Sequence, residues 1–242
     1  MRIAVISDIH ANLHALEAVL AAADADGVDA IWCLGDVVGY GPHPNECAAL
    51  VRQRADVCLV GNHDLAVLGA IDLELFVGHA GAAARWTRSV LADEHRDFLL
   101  GLGPALRLDG VRLAHGSPRD PVWEYVLAEP AAAAAFADTD EPLVLVGHSH
   151  VALRIGLHDG VLSGTGAAAG EEVDLAGGRH LLNPGSVGQP RDGDPRAAWL
   201  VIDTVAARAT FRRTDYPVER TQAELREAGL PEVLAARLSH GA

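Results

Sequence analysis

The order of apolar and polar segments in the first part of the chain restricts its fold more than any other feature. Apolar runs at residues 2–7, 30–34 and 57–60 are short and end in turn residues, so each is predicted to be a buried strand. Leucine and valine at helical spacing predict a helix over residues 13–25, and a proline in the first turn suits a helix over residues 44–54. A strand–turn–helix order that repeats three times indicates βαβ units on a parallel sheet.

The rest of the chain has a different pattern. Residues 65–103 carry helical patterns and are predicted to form a cap-like segment over one edge, and a further helix is predicted at residues 131–135. Later short apolar runs, joined by Gly and Asp turns, predict antiparallel strands, and the first two flank a hairpin turn at Asp109-Gly110. A helical tail is predicted over about residues 216–242. The predicted strands of this part are 106–108, 111–114, 143–146, 151–157, 161–163, 180–182, 198–202 and 209–212.

A parallel first half and a more antiparallel second half together predict an α/β fold. Two mixed β-sheets that pack face to face, with helices on the outer faces, accommodate both halves. Half of the residues are apolar, which is enough to bury a sizeable core. No linker, repeat or low-complexity segment divides the chain, so residues 1–242 are predicted to form a single domain.

The composition excludes several classes of partner. The formal net charge is −14 and every basic residue is arginine, so the surface should repel nucleic-acid phosphates and broad duplex binding is not expected. Asp8 comes too early for a signal peptide, and no apolar run approaches the roughly 18 residues that span a bilayer. The three cysteines lack CxxC spacing, as expected of buried thiols in a reducing compartment. We therefore expect a cytoplasmic protein without a membrane partner.

Polar side chains that can bind metals follow five of the predicted strands, at the point where each strand ends. Ligands of open α/β sheets bind beyond the carboxyl ends of the strands, so the sheets should bring these side chains together. The pairs Asp8-x-His10 and His148-x-His150 have a spacing of two, which places both side chains on the same side of an extended strand end. The residues that follow the five strands are Asp8 and His10, Asp36, Asn62 with His63 and Asp64, His115, and His148 and His150.

Seven of these residues form the predicted metal site. Imidazole and carboxylate ligands together suit Mn, Fe, Zn or Ni better than calcium, and the amide oxygen of Asn62 can also bind an ion. Seven ligands exceed what one ion usually takes from a protein, but they suit two divalent ions that share a bridging carboxylate. The predicted ligands are Asp8, His10, Asp36, Asn62, His115, His148 and His150.

The chain resembles the calcineurin-like metallophosphoesterases, and within them the small bacterial phosphodiesterase-like branch. The resemblance covers about residues 1–190, and it implies a four-layer αββα sandwich, in agreement with the two sheets predicted above. It rests on five motifs in the family's order, namely Asp8-Ile9-His10, Gly35-Asp36, Gly61-Asn62-His63-Asp64, His115-Gly116 and Gly147-His148-Ser149-His150.

The resemblance also implies a role for each motif residue. Asp36 is implied to bridge the two ions, His63 to be the catalytic histidine beside them, and Asp64 to orient His63. Asp64 could alternatively be only a cap of the helix that follows it. The other ligands divide between a first metal, held by Asp8, His10 and His150, and a second, held by Asn62, His115 and His148.

The implied reaction is hydrolysis of a phosphoester bond by in-line attack of a hydroxide that bridges the metals, with His63 stabilising the transition state or protonating the leaving oxygen. Protein serine/threonine phosphatases of the superfamily read GD-x-V-D-R-G at the second motif, whereas this chain has Gly35-Asp36-Val37-Val38-Gly39. A phosphodiesterase acting on small molecules or nucleotides is therefore the leading hypothesis. A phosphomonoesterase or nucleotide pyrophosphatase at the same site is the alternative.

A non-catalytic metal-binding scaffold is the alternative from another class, since the retromer subunit with this fold works without the catalytic histidine. Retention of His63 argues against that alternative here. Two further residues could contact the substrate. Arg191, in the polar turn that begins at Asn183, could bind a phosphate, and Tyr40 lies in a glycine-rich loop. A plain structural turn explains the segment around Arg191 equally well.

Overall fold

The computed structural model describes residues 1–242. Helices and strands alternate along residues 1–68, and after that runs of helices or of strands predominate. The first half contains β1 (Arg2–Ile6), α1 (Leu13–Ala25), β2 (Ala30–Cys33), α2 (Pro44–Arg54), β3 (Val57–Cys58), α3 (Asn62–Leu68), α4 (Gly78–Val90), α5 (Asp93–Leu100), β4 (Ala105–Leu108) and β5 (Val111–Ala114). The second half contains α6 (Glu129–Ala137), β6 (Leu143–Val146), β7 (Ala152–His158), β8 (Val161–Gly166), β9 (Glu172–Asp174), β10 (Arg179–Pro184), β11 (Ala197–Asp203), β12 (Arg208–Thr214), α7 (Val218–Glu227) and α8 (Glu232–Ala236).

The strands form two six-stranded sheets, ordered β3-β2-β1-β11-β12-β9 and β4-β5-β6-β10-β7-β8. In the first sheet β1, β2 and β3 are parallel, as the repeated strand–helix units predict, and β11 pairs antiparallel with β1. In the second sheet β6 lies parallel to both β5 and β10, while β7 is antiparallel to β10 and β8. The predicted α/β fold with two mixed sheets is therefore confirmed.

Strand β1 shows how the layers are held together, because its side chains alternate between two cores. Ile3 and Val5 face the space between the sheets, where they join Leu145 and Leu182 of the opposite sheet. Ala4 and Ile6 face the other way, into the core beneath α1 and α2. Each fully buried isoleucine, valine or leucine side chain stabilises the fold by about 1.5–3 kcal/mol.

Strand β6 repeats the arrangement in the second sheet. Leu143 and Leu145 face the core between the sheets, while Val144 and Val146 pack with Phe136 of α6. Helix α6 thus covers the outer face of this sheet. The alternation places the layers in the order helices, sheet, sheet, helix.

The structure differs from the sequence predictions at two strands. Strand β3 covers residues 57–58 rather than 57–60, because the amide of Val60 leaves the ladder and donates to the carbonyl of Gly103. Strand β9 is absent from the prediction, since Glu172 and Asp174 are polar and exposed and the strand lies at the sheet edge, where only β12 pairs with it.

The segment 65–103 adds helices α3, α4 and α5 to the layer over the first sheet. Leu91 and Leu99 join the same core as α1 and α2, and Phe76 also packs there. The helical tail forms a smaller core of its own, in which Leu225 of α7 and Leu234 of α8 contact Ala83 of α4. No helix combines the length and the apolar character that a membrane crossing requires.

Candidate metal centre

The seven predicted ligands come together where strands of both sheets end, and each is at most 4% exposed. The ligand atoms of six of them form two compact groups, within each of which the atoms lie no more than 4.8 Å apart. The first group contains Asp8, His10, Asp36 and His150, and the second contains Asp36, His115 and His148. We call the two groups together the candidate metal centre.

Asp36 belongs to both groups. Its Oδ2 atom lies 3.5 Å from Nε2 of His10 and 3.5 Å from Nε2 of His115. Its other oxygen accepts a hydrogen bond of 2.9 Å from the backbone amide of His63, which fixes the carboxylate plane. One oxygen therefore faces both groups, as a bridging ligand must. Asn62 joins the second group, since its Oδ1 atom lies 3.2 Å from Nε2 of His115.

Asp8 connects the first and fifth motifs. Its Oδ1 atom lies 3.4 Å from Nε2 of His150, and its Oδ2 atom accepts a 3.0 Å hydrogen bond from the backbone amide of His148. The end of β10 and the turn after it hold the same loops in place. The side-chain amide of Asn183, within β10, donates to the Gly147 carbonyl at 2.7 Å, and the Ser186 hydroxyl, just after β10, donates to the Asp8 carbonyl at 2.7 Å. The polar turn beginning at Asn183 thus has a structural role.

Three of the histidines are oriented by the backbone. His10, His115 and His150 each place Nδ1 at a backbone carbonyl, so Nδ1 carries the proton and the lone pair of Nε2 points into the centre. A carbonyl at the outer nitrogen is the usual support of a metal-binding histidine. The carbonyls belong to Val38, Leu34 and Gln189, at 3.3, 3.0 and 2.6 Å respectively.

The backbone at the strand ends is left-handed, where the sequence analysis expected an extended chain. Both residues of the Asp-x-His and His-x-His pairs have φ between 50° and 64°. The members of each pair still converge, but a tight turn brings them together, because the strands have already ended. Such conformations cost of order 1–3 kcal/mol for residues other than glycine and cluster at functional sites. The left-handed residues of the centre are Asp8, His10, Asp36, His148 and His150.

Glycine precedes the ligands because the loops pass very close to one another. A Cβ atom on Gly61 would overlap the Asp36 carboxylate and lie 2.6 Å from Cε1 of His115. A Cβ atom on Gly147 would overlap the Ser7 hydroxyl and lie 3.0 Å from Asp8 Oδ2. The glycines of the third and fifth motifs therefore set how closely the ligands approach.

Several polar atoms in the centre are buried without a hydrogen-bond partner. They include Oδ1 of Asp8, Oδ2 of Asp36 and Nε2 of His148, all of which face the interior of the centre. Buried polar atoms are normally paired, so atoms of this kind indicate a missing partner. Two carboxylate oxygens and inward imidazole lone pairs fit divalent transition-metal ions, so the donor set fits the predicted metals.

Burial also shifts the protonation of these groups. Burial, with the nearby Asp36 charge adding to it and His115 opposing it, raises the pKa of Asp8 to about 7. Burial likewise raises the pKa of Asp36 well above its usual range. It lowers the pKa of His10 well below the usual value, and that of His148 to about 3. A bound cation would favour the deprotonated carboxylates and the neutral imidazoles, and would compete with protons for them.

His63 lies beside the centre, but the structure corrects the role expected for Asp64. The Asp64 carboxylate accepts hydrogen bonds from the backbone amides of Gly61, Val37 and Val38, at 3.0, 3.2 and 2.9 Å. It makes no hydrogen bond to the His63 ring, whose Nδ1 atom is buried without a partner. Asp64 therefore ties the second motif to the third, and as the third residue of α3 it also caps that helix.

The His63 ring is instead held by packing. Its centroid lies 4.4 Å from that of Tyr40 and 4.9 Å from those of His10 and Phe76. Gly39 also adjoins the His63 ring. A Cβ atom at Gly39 would lie 2.9 Å from Nδ1 of His63, so the absence of a side chain there leaves space for the imidazole. Burial, and then the positive charge of Arg191, lowers the pKa of His63 well below its usual value.

Tyr40 and Arg191, predicted as substrate residues, are both partly exposed beside the centre, and we call their position the entrance. The guanidinium of Arg191 is 5.9 Å from the Tyr40 ring, and its Nη2 atom donates to Gln189 at 3.0 Å. Sequence reasoning missed Tyr125, whose ring stacks on His148 with centroids 4.0 Å apart and planes 6° apart. Tyr125 follows no motif and belongs to no helix or strand, so no sequence pattern pointed to it.

Comparison with known proteins places the chain in a family. Residues 1–206 match the model of the calcineurin-like phosphoesterase superfamily domain. The chain is similar to the uncharacterized protein MJ0912 of Methanocaldococcus jannaschii, with 37% identity over 99% of this chain and 98% of the relative.

Solved structures agree with this assignment. A metallophosphoesterase from Sphaerobacter thermophilus is 46% identical, covers 100% of this chain and 99% of its own, and superposes with a TM-score of 0.92. The protein PH1004 from Pyrococcus horikoshii OT3 shares the fold at 19% identity, with coverage of 100% and 98% and a TM-score of 0.78.

Proposed function

The chain belongs to the calcineurin-like phosphoesterase superfamily, and from this premise we propose that it is a dinuclear metal-dependent hydrolase of phosphoester bonds. The proposed substrates are phosphodiesters of small molecules or nucleotides. The proposed ions are divalent and drawn from Mn, Fe, Zn and Ni, which suit a mixed set of imidazole, carboxylate and amide ligands.

One observation carries the proposal of two ions. Oδ2 of Asp36 lies at the same distance, 3.5 Å, from a histidine of each group, and it has no hydrogen-bond partner. An isolated ion site would need only one of the two groups. A shared oxygen between two buried groups is the arrangement that a pair of ions with a common carboxylate requires.

Two divalent ions at these positions would supply Lewis acidity toward a phosphoryl oxygen and would lower the pKa of a bound water. They would also reverse the local charge. Two ions bring a charge of +4, and the carboxylates of Asp8 and Asp36 bring −2, so the loaded centre is positive within a protein of net charge −14. An anionic ester can therefore bind there despite the acidic surface.

His63 is proposed to donate a proton to the leaving oxygen of the substrate. Its ring lies beside His10 and carries a buried Nδ1 atom with no partner, so proton exchange breaks no existing hydrogen bond at that atom. Burial favours the neutral ring, while a bound anionic phosphate would favour the protonated one. The imidazole can accordingly take up a proton from solvent as the anionic ester binds and donate it to the leaving oxygen.

Arg191 is proposed to hold a non-bridging phosphate oxygen at the entrance. Its positive charge is near enough to lower the pKa values of His10, Asp36 and His63. Its side chain is held by Gln189, whose carbonyl also orients His150. The guanidinium is therefore anchored to the same segment as a metal ligand and can offer its planar fork to phosphate.

The proposal is tested by loading one purified sample with each candidate ion, measuring its metal content, and comparing turnover of bis-p-nitrophenyl phosphate with that of p-nitrophenyl phosphate. We expect two ions per chain and faster turnover of the diester. Equal turnover of both compounds would remove the preference for diesters and favour the monoesterase alternative. A fully loaded protein that hydrolyses neither, nor any nucleotide ester, would instead be a scaffold.

A further inference from the structure

A second set of metal-ligating side chains lies outside the candidate metal centre. His14 of α1, His43 directly before α2 and Glu224 of α7 place their ligand atoms within 4.8 Å of one another. Nε2 of His14 lies 2.6 Å, and Nε2 of His43 2.8 Å, from the same oxygen, Oε2 of Glu224. We call these three residues the tail cluster, because Glu224 belongs to the helical tail. None of them is a member of the candidate metal centre.

The two imidazoles of the tail cluster have the orientation of metal ligands. Both direct Nε2 at one point, although His14 and His43 lie in different segments of the chain. Both direct Nδ1 toward a carboxylate three residues further along: Nδ1 of His14 is 3.8 Å from Glu17, and Nδ1 of His43 is 3.9 Å from Glu46. Both distances exceed a hydrogen bond, so Glu17 and Glu46 place negative charge near the imidazoles without fixing their tautomers.

Glu224 is available as a charged ligand at neutral pH. Partial burial opposes ionisation, but hydrogen bonds from His43, His14 and Arg220 outweigh it and lower the pKa of Glu224 to about 2. Arg220 binds the other oxygen, Oε1, at 3.0 Å, so Oε2 remains directed at the histidines. The carboxylate is thereby held in one orientation.

We propose that the tail cluster is a third metal site, separate from the candidate metal centre, for a single borderline divalent ion such as Zn²⁺. Two histidines and one glutamate form a ligand set that binds zinc with water in the fourth position. The side chains of His43 and Glu224 are 23% and 22% exposed, so an ion and its water can enter from solvent. Mg²⁺ and Ca²⁺ would be rejected, because they prefer oxygen ligands.

The cluster needs a small expansion to hold the ion. Tetrahedral zinc at about 2.0–2.1 Å from its ligands separates them by roughly 3.3 Å. The His43–Glu224 distance must therefore open by about 0.5 Å and the His14–Glu224 distance by about 0.7 Å. His43 and Glu224 are partly exposed side chains and can move by these amounts. The proposed ligands of the candidate metal centre are similarly close, with Nε2 of His10 and His150 3.0 Å apart.

An ion in the tail cluster would clamp the tail onto the domain. Helix α7 also contacts the loop of the first motif, since the Thr221 hydroxyl donates to Asn12 Oδ1 at 3.2 Å. One turn further along, Leu225 lines a small cavity with His10 and Tyr40. The bound ion would therefore hold α7, the helix that lines this cavity beside His10, in place.

The test compares zinc binding by wild type and by three variants, using equilibrium dialysis followed by elemental analysis. Glu224→Gln keeps an oxygen that accepts hydrogen bonds but removes the negative charge, so it should bind one fewer Zn²⁺ per chain than wild type. His79→Gln changes an exposed histidine that belongs neither to the candidate metal centre nor to the tail cluster, so this variant should bind as much Zn²⁺ as wild type. Asp36→Asn damages the candidate metal centre and should still retain the ion that Glu224→Gln loses.

Equal zinc content in wild type, Glu224→Gln and His79→Gln would overturn the proposal and leave the tail cluster as a set of ion pairs. If Glu224→Gln does not fold, His43→Gln provides the same comparison at a partly exposed position on a different segment. Limited proteolysis gives a second measure, independent of activity. Zn²⁺ should slow cleavage within α7 in the Asp36→Asn variant, and should not do so when Glu224→Gln is added.

Discussion

The candidate metal centre and the tail cluster use the same side-chain types but hold them in different ways. In the centre the ligands follow strand ends and are at most 4% exposed, and five of the seven have a left-handed backbone. In the tail cluster His14 and Glu224 lie within helices, and the glutamate side chain is 22% exposed. In the centre, histidine Nδ1 atoms donate to backbone carbonyls, such as that of Leu34. In the tail cluster, histidine Nδ1 atoms face exposed glutamate side chains, such as that of Glu17.

This difference indicates how far each group can adapt. A backbone carbonyl within a loop held by several hydrogen bonds cannot move without disturbing the sheet, so the centre is fixed before any ligand arrives. A glutamate on a helix surface can change rotamer at little cost, so the cluster can adjust to its ligand. We therefore expect substitutions in the centre to affect chemistry strongly, and those in the cluster to affect attachment of the tail.

The largest effect is expected at the residue shared by both groups of the centre. Asp36→Asn should reduce the turnover of a diester by at least about 1,000-fold, because metal ions contribute several kcal/mol of transition-state stabilisation and each 1.36 kcal/mol is tenfold in rate. Metal content should fall at both positions. The control is Asp56→Asn. Asp56 lies outside the candidate metal centre, and its carboxylate accepts a hydrogen bond from the backbone amide of Ile31. If Asp36→Asn lost ions from one group alone, Asp36 would not be the bridge.

The next effect separates metal binding from proton transfer. His63→Gln should lower kcat roughly 100-fold, the lower range for loss of a general acid or base, while the metal content stays at the wild-type level. The matched control is His95→Gln, which changes a buried histidine of α5 that belongs to neither group. Unchanged kcat in His63→Gln would reject the proposed role of this residue.

A smaller effect is expected at the entrance. Arg191→Gln should raise KM for a phosphodiester at least roughly 10-fold, because a hydrogen bond to a charged group is worth about 1.5–3 kcal/mol. Arg191→Lys should lie between this variant and wild type, since it keeps the charge and loses the planar fork. Steady-state kinetics on loaded protein supply both constants. A pure fall in kcat would instead place Arg191 in the transition state alone.

The smallest effect concerns stability without metal. The pKa of Asp8 is raised from 3.8 to about 7 in the folded protein, so the folded state holds a proton that the unfolded state releases. This contribution is fully present below pH 4 and is lost as pH rises through 7. From pH 5.5 to 6.5 this carboxyl alone should lower the unfolding free energy of the chelated protein by about 1 kcal/mol. His10, His63 and His148 act in the opposite direction over the same interval, because burial lowers their pKa values.

Urea unfolding of chelated wild type and chelated Asp8→Asn at the two pH values isolates this contribution. Asp8→Asn has no carboxylate to titrate, so its change in unfolding free energy from pH 5.5 to 6.5 should be about 1 kcal/mol more positive than that of wild type. Equal changes in the two proteins would show that Asp8 does not titrate in this interval.

The sequence predicted two mixed sheets, which the structure confirms, and seven metal ligands, which the structure brings together. Both predictions rest on the same pattern. Apolar runs define the strands, and the polar residues that follow them mark the sheet edge where ligands meet. Strand β9 was missed because Glu172 and Asp174 carry no apolar signal. The tail cluster was also missed, since His14 and Glu224 are separated by 210 positions and only tertiary packing brings them together.

The finer details depend on backbone conformation, which side-chain patterns do not report. The spacing of Asp8 and His10 correctly indicated convergence, but the expected extended backbone was wrong, since both residues have positive φ. Asp64 was expected to orient His63, yet its carboxylate is fully occupied by three backbone amides. Motif position alone does not distinguish a carboxylate that faces a ring from one that faces the main chain.

The left-handed turns of the candidate metal centre also limit which amino acids can occupy it. Asp and His tolerate φ near 50–60° better than most residues, whereas valine, isoleucine and threonine are strongly disfavoured there. Asp8 and His148 are thus restricted twice, by chemistry and by main-chain shape, while His115 has an ordinary backbone and is restricted once. A library selected for folding alone, with no demand for activity, should exclude β-branched residues at the first two positions and accept them more readily at the third.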